Sequence, residues 1–353
     1  MRLRIFANDE LMPNLHIRFM VWHMVNPFFS VVIPLYNKQD YIERAIESVL
    51  SQRFKDLELI VVDDGSTDDG AAKVELIHDA RIRLIKQMNQ GEGPARNSGI
   101  VEAIGDWVAF LDADDMWLPS HLECLKKVID RFSDVGLVSS RSIEIHGSTI
   151  PSEHACAIDC KPRKIDYFSA AAKKIGVINS SSVAISKSVF ECVGGFKNYR
   201  MGCDLEFWAR VALLYPVAII GSKTSVYFRG TGGVMDTQGA SSKPMAKQPL
   251  SSLSEISPSL AMLSSRLNDI PEGSKLRRSV INYINSRLRQ AIRGAFIRGD
   301  LYRVKSLRAL YMSPIGAWRN RLWWLLAALP LFLLSAASRL RLRSKDLYLA
   351  FRR

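Results

Sequence analysis

Cysteine is scarce in this chain of 353 residues. The five present (Cys124, Cys156, Cys160, Cys192 and Cys203) are an odd number with no close C-x-x-C pair, which excludes a disulfide framework or a zinc knuckle. No secretory leader is expected from residues 1–27 either: charges interrupt them, and no apolar stretch there precedes a small-residue cleavage site. Met12, Met20 and Met24 are alternative starts, so residues 1–27 read as an extension. Acidic residues are sparse in the last third. Residues 241–353 hold 21 Lys and Arg against 5 Asp and Glu, a net of +16 that leaves −3 for residues 1–240. Such an asymmetry points the C-terminal third at a polyanionic surface, either anionic lipid or nucleic acid. Finally, the first strand is followed by Pro34-Leu35-Tyr36-Asn37 and not by a glycine fingerprint, which argues against a nicotinamide dehydrogenase.

What is present is an alternation of buried strands and amphipathic helices, with 48% hydrophobic residues, ample for a core. Phe28–Pro34 is a β-branched run suited to a buried parallel strand, with Pro34 closing it. Ile42, Ala45, Ile46, Val49 and Leu50 fall at helical spacing, and Asp40 with Glu43 resembles a capping box. Leu57–Val62 supplies the next strand and ends in Asp63-Asp64-Gly65-Ser66-Thr67-Asp68. Strand, helix, strand predicts a right-handed βαβ unit whose ligands bind at the carboxyl ends of the strands. A short strand at Ile82–Ile85 leads to residues 89–99, where two glycines, Pro94 and Arg96 suit either an anion cradle at a helix start or a structural turn. A helix follows Pro119, a strand covers Val135–Ser140, and residues 141–170 carry no regular pattern.

Between these lies Trp107-Val108-Ala109-Phe110-Leu111, an apolar run that stops at Asp112-Ala113-Asp114-Asp115. A buried strand that delivers three carboxylates to a sheet edge needs a cation, a donor array or bulk water to offset their repulsion. The cluster therefore reads as a metal site or a solvated loop. Further on, Leu205, Trp208, Ala209 and Ala212 share a helix face, with Asp204 near the helix start, where a carboxylate complements the dipole.

Six segments in order, VVIPLYN (31–37), VVDDGSTD (61–68), GPARNSG (93–99), FLDADD (110–115), VGGF (193–196) and GCDLEFWARV (202–211), resemble a family 2 glycosyltransferase over residues 28–235. The resemblance implies an α/β GT-A fold, a Rossmann-like nucleotide-sugar-binding domain with a mixed, mostly parallel sheet. It implies that Pro34, Tyr36 and Asn37 border the nucleotide base, that Asp64 accepts from the base edge, and that Arg96 approaches the ribose or diphosphate. Asp112 and Asp114 match the family's DXD motif, Asp112 toward the sugar-nucleotide and Asp114 toward a divalent metal, with Asp115 able to share either task. Mg²⁺ or Mn²⁺ is the cofactor expected, since hard oxygen ligands suit both. Asp204 matches the catalytic base of an inverting transfer, although Cys203 stands where the family usually has Glu. Arg229 is the candidate left facing the diphosphate. The expected partners are a nucleotide-sugar donor and a lipid-linked or growing glycan acceptor. A non-catalytic scaffold that kept the fold is the alternative. Without a Gln-x-x-Arg-Trp segment or an array of long transmembrane helices, one sugar per encounter is expected.

Residues 236–260 read as a Ser/Pro/Gly-rich linker and 261–317 as a basic helical region. Residues 318–353 hold an uncharged, Trp-rich apolar stretch at 322–338 with basic flanks at both ends. As a helix its 17 residues reach about 25 Å, short of a hydrocarbon core of about 30 Å. Positive charge at both ends disfavours a simple span. The expectation is a monotopic or re-entrant segment kinked near Pro330, at the cytoplasmic face of the cell membrane, against anionic lipid and not nucleic acid; a spanning helix and a buried core helix are the alternatives.

Overall fold

The computed structural model describes residues 26–146, 161–174, 176–231, 253, 256–297 and 300–310. In chain order these form β1 (Phe29–Leu35), α1 (Ile42–Leu50), β2 (Leu57–Asp63), α2 (Gly70–Glu75), β3 (Ile82–Lys86), α3 (Glu92–Glu102), β4 (Trp107–Phe110), β5 (Met116–Trp117) and α4 (His121–Arg131). There follow β6 (Leu137–His146), β7 (Arg163–Ile165), α5 (Tyr167–Lys173), β8 (Val183–Ser186), α6 (Lys187–Val193), α7 (Cys203–Leu214) and β9 (Val217–Arg229). The last elements are α8 (Pro258–Ser265), α9 (Lys275–Ile297) and α10 (Leu301–Ala309). The stretch 141–170, which has no legible pattern, thus contributes the outer half of β6, β7 and the start of α5.

The chain divides into two compact units. The first holds the sheet, in the order β3-β2-β1-β4-β8-β6-β9-β5, with β7 paired to β9. Strands β3, β2, β1 and β4 are mutually parallel, whereas β8 runs antiparallel to β4 and β6, and β5 antiparallel to β9. The sheet is therefore mixed, as expected. Within its parallel half β1, β2 and β4 are buried along nearly their whole length while the edge strand β3 is only partly buried, which is why β1 and β2 read as mostly apolar runs. Helix α3 lies close on β1: a Cβ at Gly99 would fall 2.4 Å from Val32 Cγ1, so only glycine admits this approach.

Two local expectations change. Pro34 does not end the first strand, which runs to Leu35 with Pro34 opposite Val62 of β2. Val32 O accepts from Leu111 N and Leu35 O accepts from Asp64 N, so by alternation the donor that Pro34 lacks falls on the β4 side. Pairing with β4 has already stopped there, at Val32 opposite Phe110. The proline is tolerated because β1 and β4 part at that point, which opens a crevice at their carboxyl ends. The capping box at Asp40 and Glu43 does not form either: Tyr41 is the N-cap, without a side-chain bond, and Glu43 pairs instead with Lys73 at 2.8 Å.

Beneath the sheet edge, His121 is wholly buried, stacked on Trp117 at 4.3 Å between ring centroids, with Nδ1 2.9 Å from Thr224 Oγ1. Nε2 has no partner among the described residues. Burial pushes its pKa down to about 3, so the folded chain keeps it neutral. The unfolded chain takes up this proton below pH 6.5 and the folded chain does not, so stability is lost as pH falls from about 6.5 toward 3. Relative to His121→Gln, the wild type is expected to lose about 2 kcal/mol between pH 7 and pH 5. Denaturant unfolding of both proteins at the two pH values checks this; equal losses would refute it.

The second unit is helical. Asp166 caps α5 through Ser169 N, and Ser279 and Ser286 of α9 donate to Asp166 Oδ2 and Ala172 O. Val280, Tyr283, Ile284 and Leu288 form the buried face of α9. Among the described residues no helix is long and apolar enough to cross a membrane, and residues 318–353 lie outside them.

Candidate active site

The carboxyl ends of β1, β2 and β4 carry most of the side chains singled out above. After Phe110 the chain turns, Asp115 N donating to Asp112 O at 3.0 Å, so three acids share one tight bend. Their surroundings make them unequal.

Asp112 accepts from Arg96 Nη2 at 2.6 Å through Oδ1, while its own amide donates to Ser181 Oγ. Arg96 sits in the second turn of α3, fully buried, and also pairs with Glu92. Burial pushes the Asp112 pKa up to about 6, opposed by Arg96 and assisted by Glu92 and Asp114. With 25% of its side chain reaching solvent, this is the open face of the cluster.

Asp114 accepts from Lys38 Nζ at 2.8 Å and from Thr231 Oγ1 at 2.7 Å, both through Oδ2. Its carbonyl accepts from Arg44, whose guanidinium lies 3.7 Å from the centroid of the Phe228 ring. Burial lowers the Arg44 pKa, against the pull of Asp115 and Asp114.

Asp115 is fully buried, and both of its oxygens are engaged: Ser181 Oγ donates to Oδ2 at 2.5 Å and Phe228 N to Oδ1 at 3.1 Å. Burial, then Asp112 and Asp114, raise its pKa well above the usual carboxylate range.

On the β1 and β2 side, Tyr36 is half exposed beside Asn37, which adopts a left-handed backbone at φ 51°. Asn37 N donates to Ser66 Oγ and Asn37 Oδ1 accepts from Thr67 N, which ties the two loops together. Asp64 is 2% exposed and fully engaged: Oδ1 accepts from Gln87 Nε2 and Gln90 N, and Oδ2 from Gly91 N at 2.8 Å. This alters the anion-cradle reading of residues 89–99, since the amides of Gln90 and Gly91 already bind the Asp64 carboxylate. Gly91 enters α3 at φ 98°, a conformation that glycine takes without strain.

Arg229, at the end of β9, donates to Glu144 Oε1 at 2.5 Å and lies over Tyr227. Asp204 belongs to the helical unit, in the first turn of α7, partly exposed. Its charge helps to raise the pKa of buried Tyr167, after burial itself and Tyr283. Cys203 beside it is buried, and Glu206 with Arg210 forms a buried two-bond ion pair at 2.8 and 3.0 Å. The sheet unit thus gathers Pro34, Tyr36, Asn37, Asp64, Arg96, Asp112, Asp114 and Asp115, whereas Asp204 is part of the other unit. Lys38, Thr231 and Ser181 are the site residues that sequence reasoning missed. A lysine after Tyr-Asn and hydroxyls far along the chain carry no motif.

The sequence matches the Glycosyl transferase family 2 profile over residues 30–194. An uncharacterized glycosyltransferase of Nostoc sp., alr2836, is 30% identical over 239 residues, which cover 62% of this chain and 70% of the relative. The GalNAc(5)-diNAcBac-PP-undecaprenol beta-1,3-glucosyltransferase of Campylobacter jejuni is 42% identical over 103 residues, 28% of this chain and 33% of that enzyme. Among solved structures, residues 1–349 of S. aureus TarS in complex with UDP-GlcNAc share the fold, with a TM-score of 0.63 at 16% identity over 80% of this chain and 81% of that one. With the mixed sheet, the acidic strand end and these likenesses together, the chain belongs to glycosyltransferase family 2 and has its GT-A fold.

Proposed function

We propose that this protein transfers a sugar, with inversion, from a nucleotide-sugar donor to a lipid-linked or growing glycan acceptor at the cytoplasmic membrane face, in cell-surface polysaccharide or glycoconjugate biosynthesis. The observation that carries the reading is the pair Asp112 and Asp114, partly exposed at the end of β4, with Arg96 buried behind Asp112. The Campylobacter enzyme, whose acceptor is named as an undecaprenol diphosphate glycan, supports a lipid-linked acceptor. The basic C-terminal third supports an anionic surface nearby.

Tyr36 offers an exposed ring to a base, and Asn37 shapes the loop that carries it. Asp64 serves this site by holding residues 87–91 at the start of α3. Arg96 keeps Asp112 a carboxylate against burial. Asp115 acts as framework, because both of its oxygens are used by protein donors. Arg229 stays with Glu144 at the rim.

A divalent ion fits the donor set. Asp112 Oδ2 and Asp114 Oδ1 accept from no donor among the described residues, and both side chains reach solvent. An ion here would be held by these two carboxylates and the donor's phosphates, since no group of three acidic, His or Cys residues among the described residues is arranged to hold a metal. When bound, Mg²⁺ or Mn²⁺ would supply Lewis-acid stabilisation of the departing nucleoside diphosphate. Asp204 takes the proton from the acceptor hydroxyl.

The test is release of nucleoside diphosphate from a panel of nucleotide-sugars with Mg²⁺, Mn²⁺ or chelator present. Turnover with at least one donor, stopped by chelator and by Asp114→Ala, is expected. No turnover with any donor and membrane-derived acceptor would favour a binding scaffold.

A further inference from the structure

Lys38 is the one cation whose side chain meets Asp114 at ion-pair distance among the described residues. Its Nζ lies 2.8 Å from Asp114 Oδ2 and donates to Thr231 O at 2.8 Å, while Thr231 Oγ1 donates to the same Oδ2 at 2.7 Å. The two charged side chains are only 16% and 15% exposed, so the pair is screened less than a surface bridge. The residues on either side of Lys38 are clamped to the loop after β2: Asn37 to Ser66 and Thr67, and Gln39 N to Asp68 Oδ2 at 2.9 Å. The side chain of Lys38 is therefore the part that can move without disturbing the backbone. An ammonium and one hydroxyl thus hold the carboxylate proposed above as a metal ligand, and a further bond from the ammonium to Thr231 O fixes the pair.

We propose that Lys38 is a tethered counter-ion of Asp114 that competes with the divalent metal, so that the metal is taken up together with the donor's diphosphate and not before it. This rests on the reading of Asp114 as a metal ligand. A metal ion arriving alone must displace the ammonium from Asp114, or share the carboxylate with it against charge repulsion, and offers the ammonium no new partner. A diphosphate arriving with the metal brings acceptor oxygens for the displaced ammonium and removes that penalty. Thr231 Oγ1 and Thr231 O tie the end of β9 to the same pair, so release of Lys38 also loosens that end.

The experiment is titration of the full chain with Mn²⁺ alone, without nucleotide, followed by calorimetry and by the Mn²⁺ electron paramagnetic resonance signal. Lys38→Met keeps the aliphatic stem and removes the charge. It is expected to bind Mn²⁺ about tenfold or more tightly than wild type, from loss of one charge at contact distance. The gain should vanish in Lys38→Met/Asp114→Asn, and Lys38→Arg, which keeps the charge, should bind as wild type does. If Lys38→Met matches wild type while Asp114→Asn removes binding from both, the counter-ion role is overturned and the metal site stands. If Asp114→Asn changes nothing in either background, the metal site falls, and the role of Lys38 falls with it.

Discussion

Replacing Asp204 by asparagine should lower kcat by roughly 10²–10⁴-fold, the usual contribution of a general base, which is the role proposed for it. Nucleoside diphosphate affinity of the same variant should stay at the wild-type value. The two quantities are expected to separate because Asp204 is proposed to act on the acceptor hydroxyl, whereas the residues proposed for the donor run from Pro34 to Asp115. Asparagine matches aspartate in shape but cannot accept a proton at neutral pH. What it removes from α7 itself is one negative charge in the first turn, a loss of about 0.3–1 kcal/mol. Cys203 supplies the control. It is a buried thiol where the family usually has Glu, so Cys203→Ala should leave kcat within a few-fold of wild type. Initial rates at saturating donor, with calorimetric binding of the diphosphate product, check both. A fall in nucleotide affinity matching the fall in rate would remove Asp204 from the acceptor side, and an unchanged rate would remove it from the chemistry.

The centre of the parallel half was legible because β1 and β2 are buried nearly throughout and so read as mostly apolar runs. The acidic strand end was legible for the complementary reason: charge placed directly after a buried strand has few places to go. Less legible was how each acid is used. Asp64, Asp112, Asp114 and Asp115 look alike in sequence, yet their partners come from Gly91, Arg96, Lys38 and Ser181, up to 76 positions away, and from Phe228 and Thr231, more than 100 away. Pairings of that span depend on the sheet order, in which β8 and β9 return beside strands formed much earlier. The outer half of β6 was missed although Ile143 and Ile145 alternate with Ser142, Glu144 and His146 and pack beside Leu118, Val226 and Phe228. Pro34 misled in a more local way: it signals a strand end unless the neighbouring strand has already left, as β4 has here.

Asp115→Ala is expected to lower the free energy of unfolding by about 2–5 kcal/mol, because Ser181 Oγ and Phe228 N would each lose a buried acceptor. Asp115→Asn should behave differently. Its amide oxygen can take the Phe228 N–H, and its amide nitrogen can donate to Ser181 Oγ, whose hydroxyl turns to accept. The sign of the pH dependence follows from the raised pKa, caused first by burial and then by Asp112 and Asp114. The folded carboxyl holds its proton to higher pH than the unfolded one, so its favourable contribution is present at low pH and is lost as pH rises through the folded value. Asparagine carries no such loss, and its stability relative to wild type should therefore improve from pH 5 to pH 8. Thermal melts of the three proteins at the two pH values measure this. The same variants separate framework from ligand: Asp115→Asn should keep the Mn²⁺ affinity that Asp114→Asn loses, since no oxygen of Asp115 reaches the open side of the cluster. Equal loss in both variants would return Asp115 to the metal.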